Sequence, residues 1–418
     1  MNFEYVASGC SFFKLIYKES RERETNLSFF ENTFGSCNGY KDHHVSLLYN
    51  AHTEKGVGAK LKDAYLGRGC HQIYADSGGL QAVTLGQQIT DEFKDSVYKN
   101  QATSANIGMS FDEIPVRIIG DKSIRLDLEF RKYDADLLET CARQSGKNLK
   151  RQIEVYLDQK TECKPMLITQ GNCYDSYMRW VEYMLDEMPQ EYTKYIGGIA
   201  MGAAALGQGT LEDIKRGFYY TQLPIDLERK HMHLLGVGSV YRMLPNIIFM
   251  QNGLYDGVWL SYDSTTHTSG SVQGRYYMNE RTLTFNRVYD DAYRKIHADL
   301  TRNFPEYEYD VDTLYECLNL SSRTYEEKRG NIDPSIQTYI GYVASSIKNF
   351  IDHVHRISSK KSAVIAFADK RDKNSFNALY DVRTKEDFEH WLQWIGPHVS
   401  SAPVNPYMEP NTLEDLFV

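Results

Sequence analysis

Asp76 and Asp263 each close a short apolar segment. Two carboxylates held together can divide the work of displacing a base at a sugar C1′, one as nucleophile and one as proton-transfer partner, through an oxocarbenium-like transition state. Asp112 and Gln170 end two further apolar segments and suit the reading of a guanine-like ring. A carboxylate accepts from N1–H and N2–H, while the Gln170 amide and a glycine N–H at Gly197-Gly198 can donate to O6. Glycine also lets the backbone approach a flat ring closely. A single acid at such a place is more often a helix cap or turn residue than a catalyst. Six such features on successive segments, counting Gly236-Gly238, shift that balance.

The elements that must position these residues alternate between strand and helix. Runs at 44–50, 71–76, 107–113, 165–171, 195–202, 232–238 and 257–263 read as strands, and FEYVASG near the N-terminus supplies an eighth or a preceding hairpin. Segments 125–144, 148–159, 176–188, 210–223 and 240–255 carry apolar residues at three-to-four spacing and read as crossover helices. That pattern predicts an α/β chain folded as a (β/α)₈ TIM barrel, whose strands deliver their C-terminal ends to one mouth. The interval between the third and fourth of these runs has room for an insertion. After about residue 275 the pattern changes, so the expected organisation is a barrel over 1–300 and a mostly helical C-terminal subdomain over 301–418 that can also hold the barrel's last helix.

The same residues carry a family resemblance. ADSGGLQ at 75–81, MSFDEIP at 109–115, ITQGN at 168–172, GGIAMG at 197–202, HLLGVG at 233–238 and SYDSTTHT at 261–268 resemble, in order, the motifs of the tRNA-guanine transglycosylase superfamily. The resemblance covers about residues 70–275. It implies Asp263 as the nucleophile of a covalent glycosyl-enzyme intermediate and Asp76 as general acid/base. It implies a base pocket lined by Asp112, Gln170, Gly197, Gly198 and the backbone of Ile199, with Leu235 on one face of the ring. Ser77, Gly78 and Gln81 of the first motif complete the implied substrate-binding set. Leu80 stands where the family has an aromatic that covers the other face.

Three further departures bear on the substrate. The family's zinc subdomain needs a CxCxxC cluster and a distant His; here Cys317 stands alone in that region and Lys348-Asn349 takes the place of His-Asn, so no structural metal and no cofactor are expected. Ala203 replaces the glutamate of GGLAVGE, which favours a neutral incoming base such as the cyano-substituted 7-deazaguanine precursor. HTSGSVQGR at 267–275 replaces the basic segment after the nucleophile. Together these resemble the DNA 7-deazaguanine transglycosylase branch, some of whose members are phage-encoded. The partner expected is therefore DNA, with tRNA as the alternative and a non-catalytic nucleic-acid-binding subunit as a third reading.

Composition is compatible with this. The 418 residues are 42% hydrophobic and 25% charged, and no apolar run approaches the roughly 20 residues of a membrane helix. No secretory signal is evident and the seven cysteines are scattered without a CxxC pair, so a cytoplasmic protein with free thiols and no membrane partner is expected. A homodimer is allowed. The net charge of −9 gives no global attraction to a polyanion, which leaves local patches at Arg143, Lys147, Lys150 and Arg151 and at Arg356, Lys360, Lys361, Lys370, Arg371 and Lys373.

Overall fold

In the computed structural model, eight parallel strands form one closed barrel. The structure describes residues 2–8, 43–79, 88–115, 117–119, 127–129, 135–171, 173–202, 209–237, 239–264, 275–278, 281–284, 292–312, 314, 336–368, 372–399 and 411–412. The strands are β1 (Asn2–Ser8), β2 (His43–Asn50), β3 (Ile73–Asp76), β4 (Ile107–Met109), β5 (Lys164–Thr169), β6 (Gly198–Met201), β7 (His231–Leu234) and β8 (Trp259–Ser264). Each pairs with its sequence neighbours, and β8 closes on β1 from Asn2↔Trp259 to Ala7↔Ser264. Helices α1 (Val57–Tyr65), α2 (Asp91–Ser104), α3 (Ala135–Asp158), α4 (Tyr174–Asp186), α5 (Thr210–Tyr220) and α6 (Val240–Gln251) follow β2 to β7. The expected (β/α)₈ barrel is thus what forms, with the N-terminal segment as its first strand.

Period-two alternation sorts each strand between two environments. Tyr5 and Ala7 of β1 face the helical shell, whereas Val6 joins Tyr74, Ile107, Met109, Met166, Ile168 and Ala200 inside the barrel. The β1, β2, β3, β7 and β8 side of that interior is polar lower down, where Glu4, Ser46, Tyr74, His231, His233 and Ser261 are fully buried.

Two helices expected over 125–144 and 148–159 are one 24-residue helix, and Asp127–Glu129 is a strand. Gly146, which lies between the two expected segments, is a packing device. A Cβ there would lie 2.5 Å from the Met184 carbonyl oxygen, so glycine lets α3 and α4 approach. The insertion is real: Arg117–Ile119 and Asp127–Glu129 pair antiparallel, and Asn411–Thr412 adds a third strand from the far end of the chain.

The C-terminal helices are α7 (Ala292–Asn303), α8 (Ile336–Ser358), α9 (Lys361–Phe367), α10 (Lys373–Leu379) and α11 (Lys385–Trp394). Residue 300, the expected boundary, lies inside α7. Phe350 of α8 meets Tyr5 of β1 at 5.5 Å, so α8 covers the barrel beside β1. Phe388 of α11 stacks on Phe218 of α5 at 3.9 Å, and Asn252 donates to the Leu379 and Val382 carbonyls. Asn349 of α8 donates to Asp299 of α7 and to the Tyr277 carbonyl, tying both helices to the hairpin of Arg275–Met278 and Arg281–Thr284. Among the described residues no helix is long and apolar enough to cross a membrane.

Candidate active site at the barrel mouth

Asp76 is the last residue of β3, and the turn that follows bends back over it. Gly78 sits at φ +72, and a Cβ there would lie 2.7 Å from Asn50 Oδ1, so the left-handed turn needs glycine on both counts. The backbone N–H groups of Gly78 and Ser77 then reach the Asp76 carboxylate. They offset only part of the desolvation, and burial, helped by the nearby charges of Asp263 and Asp112, pushes the carboxyl up to about 6. Asp76 therefore feels the carboxylates of Asp112, which follows β4, and of Asp263 on β8.

Asp112 follows β4 and is likewise pushed up to about 6 by burial, although the Gln170 amide opposes this. Gln170 Nε2 donates to Asp112 Oδ2 at 2.8 Å, while Gln170 Oε1 is buried with no hydrogen-bond partner. An amide expected to act as a donor thus also presents an open acceptor. The supports come from the helices. Gln101 of α2 donates to the Ala75 and Met109 carbonyls, joining the ends of β3 and β4, and Asn148 of α3 donates to the Phe111 carbonyl. Tyr177 of α4 donates to the Gly202 carbonyl at 2.7 Å.

Asp263 projects from β8 with its side chain 17% exposed. Its Oδ1 accepts the Gly236 N–H at 2.9 Å and lies 3.3 Å from His233 Nε2. The loop supplying that N–H is held from below. Arg216 of α5, fully buried, donates to the Met201 and Leu235 carbonyls at 2.9 and 3.1 Å, and both Arg216 and Arg242 pair with the buried carboxylate of Asp213. Arg242 also reaches the Gly236 carbonyl at 3.3 Å.

The structure therefore brings together Asp76, Ser77, Gly78, Asp112, Gln170, Leu235 and Asp263 at the strand ends. Leu235 packs on the interior apolar cluster at that level. Gly197 and Gly198 are not at that end. Gly197 precedes and Gly198 opens β6, beside Lys164 of β5 and His231 of β7 respectively, and Ile199 is paired in the ladder between Leu167 and Met232. The strand expected from residue 195 begins at 198, and the glycine at its mouth end is Gly202, where a Cβ would lie 2.5 Å from the Gln170 amide nitrogen. Gln81, Leu80, Ala203 and residues 265–274 lie outside the described residues, as do Cys317, Lys370 and Arg371. The patch on α3 is not a free cationic surface: Arg143 pairs with Glu139, Asp186 and Glu187, Lys147 stands 3.9 Å from Glu187, and Arg151 pairs with Asp91 and Asp95. Among the described residues no group of three or more His, Cys, Asp or Glu side chains is arranged to hold a metal ion.

Sequence reasoning missed His233, Arg216, Asp213 and Arg242. His233 sits two residues before Leu235 on the inward face, and period two alone would have aimed it inside the barrel. Arg216 lies on a segment read only as a crossover helix, and nothing in its spacing marked it as buried. The fold and site together define a (β/α)₈ barrel with a carboxylate-lined mouth. Comparison with protein-family models gives no match, and comparison with the curated proteins gives none either.

The raised Asp76 carboxyl has a measurable consequence. Its native state binds the proton more tightly than the unfolded chain does, so this contribution to stability is full below the ordinary carboxylate range and is lost as pH rises through about 6. Asp76→Asn is expected to stabilise the fold at pH 7.5 by about 1–2 kcal/mol, the gain shrinking toward zero by about pH 4. Urea unfolding at both pH values checks this. A variant less stable than the wild type at pH 7.5 would contradict it.

Proposed function

We propose that the protein is a base-exchange transglycosylase that replaces guanine in DNA with a 7-deazaguanine through a covalent aspartyl-glycosyl intermediate. The observation that carries this reading is the convergence of Asp76, Asp112 and Asp263 at one barrel mouth, with the Gln170 amide fixed to Asp112 and its buried oxygen open. Asp263 attacks C1′ as the bond from C1′ to the base N9 breaks, and its electron pair leaves with the base. Asp76, poised near neutral pH, gives that base a proton and then takes one from the incoming base. The incoming base displaces Asp263 from C1′ and restores the carboxylate. Asp112 and Gln170 Oε1 supply acceptors for ring N–H groups, and Leu235 offers an apolar face to the ring.

The polymer is assigned from the missing CxCxxC cluster and the altered segment at 267–275, and the neutral incoming base from Ala203. A stacked duplex does not offer C1′ to a barrel mouth, so the nucleotide is flipped out or unpaired, which costs a few kcal/mol less in a mismatch or single strand. Incubation with radiolabelled guanine or the cyano-substituted 7-deazaguanine and either single-stranded, mismatched or paired DNA or tRNA tests this. Label should enter DNA, unpaired guanine exchanging at least as fast as paired guanine, and uptake should weaken with salt. Label in tRNA alone would move the activity to tRNA. Label in neither polymer would contradict the reading.

A further inference from the structure

The polar side of the barrel interior forms a continuous line that ends at Asp263, and its hydrogen-bond directions can be followed from the opposite end. Glu4 is fully buried and receives donors from Ser46, from Gln72 at 3.4 Å, from Tyr74 at 2.7 Å and from the Trp259 indole at 2.7 Å. An indole has only an N–H to give, so the carboxylate accepts, and Tyr74, having spent its hydrogen on Glu4, offers only its oxygen onward. That oxygen lies 3.4 Å from His231 Nε2.

His231 is fully buried, and burial, with the charge of Arg229, pushes its pKa well below the usual histidine value, so it carries one proton. Its Nδ1 is buried without a hydrogen-bond partner. A buried orphan N–H is costlier than an orphan acceptor, so the proton sits on Nε2, facing Ser261 Oγ at 2.7 Å and the Tyr74 oxygen. Ser261 then has one hydrogen left. Its nearer acceptor is His233 Nδ1 at 2.8 Å, against 3.4 Å for the Met232 carbonyl. That leaves the proton of His233 on Nε2, the buried atom that stands 3.3 Å from Asp263 Oδ1, within ion-pair distance but making no hydrogen bond in this geometry.

We infer that His233 is a positioning residue for Asp263, presenting to Oδ1 an Nε2 proton whose location is imposed by Glu4 through Tyr74, His231 and Ser261. This rests on the reading of Asp263 as nucleophile. Oδ1 is held by the Gly236 N–H and faced by His233, so Oδ2 is the oxygen that attacks C1′. In the resulting ester Oδ1 is the carbonyl oxygen, keeps the Gly236 N–H and stays beside the His233 N–H. When the incoming base breaks the C1′–Oδ2 bond, the electron pair returns to a carboxylate whose charge those donors stabilise.

Two measurements test this independently. Long-range ¹H–¹⁵N correlation spectra of histidine-labelled protein, with His233→Gln for assignment, should show His233 protonated at Nε2. Glu4→Gln, which can donate back toward Tyr74, should mix the His231 and His233 tautomers. A His233 carrying its proton on Nδ1 alone, or tautomers indifferent to Glu4→Gln, would overturn the inference even if base exchange is found. In exchange kinetics, His233→Phe should lower kcat about 100-fold with KM within about twofold, and His233→Gln, which keeps a donor, should recover most of the loss. Wild-type kcat in His233→Phe would also overturn it. If no polymer gains label, the reaction fails while the spectra still decide where the proton is held.

Discussion

Asp263→Asn is expected to lower base exchange by roughly 10⁴-fold or more, because the only group that attacks C1′ is removed. The loss should sit in kcat. The amide oxygen that the substitution leaves in place can still accept the Gly236 N–H that Oδ1 takes at 2.9 Å, and Asp112, Gln170 and Leu235 are untouched, so affinity for the free base should change little. Stability should also stay within about 1 kcal/mol of wild type, since the side chain is partly exposed and the substitution keeps its shape. Steady-state exchange of labelled base, free-base binding by calorimetry and a urea curve separate these effects. Activity within tenfold of wild type would remove Asp263 from the chemistry.

Arg216→Met is expected to cost about 3–5 kcal/mol of stability, the largest effect on the fold of any change considered. Arg216 and Asp213 are both fully buried, and removing the guanidinium leaves Asp213 with Arg242 alone and strands the Met201 and Leu235 carbonyls. Asp213→Leu combined with Arg216→Met should cost less than the two single changes added, because the second removes a charge that the first left short of a partner. Urea midpoints of the three variants form the cycle. A loss below about 1 kcal/mol in Arg216→Met would show that the loop after β7 is held by its own packing. A full-cost, additive double variant would show that the pair is not coupled.

The barrel was legible because its strands are short apolar runs separated by helical periodicity, a pattern with few topological solutions. Asp76, Asp112, Gln170 and Asp263 were legible as strand-end residues for a related reason: each lies at or just past the C-terminal end of such a run. Gly197-Gly198 misled because glycines do not mark which end of a strand they occupy. Their place at the start of β6 follows from register with Met166 and from close neighbours on β5 and β7, which are tertiary facts. The expected gap between 144 and 148 is continuous helix, with Gly146 at the close approach of α4. Arg143 and Arg151 looked like a cationic face because most of their partners lie on or beside other helices: Asp186 and Glu187 for Arg143, Asp91 and Asp95 for Arg151. The line from Glu4 to Asp263 could not be read along the chain, since its members come from four strands and only the closed barrel sets them side by side.

The most direct measurement is an acid quench of the wild-type protein with a guanine-containing DNA oligonucleotide, before any incoming base is added. Denaturing electrophoresis should show a protein–oligonucleotide adduct, and mass spectrometry after proteolysis and nuclease treatment should place the deoxyribosyl remnant on the peptide containing Asp263. Added 7-deazaguanine should discharge the adduct, and Asp263→Asn should form none. No adduct with any oligonucleotide or tRNA, or an adduct mapped to another residue, would contradict the account.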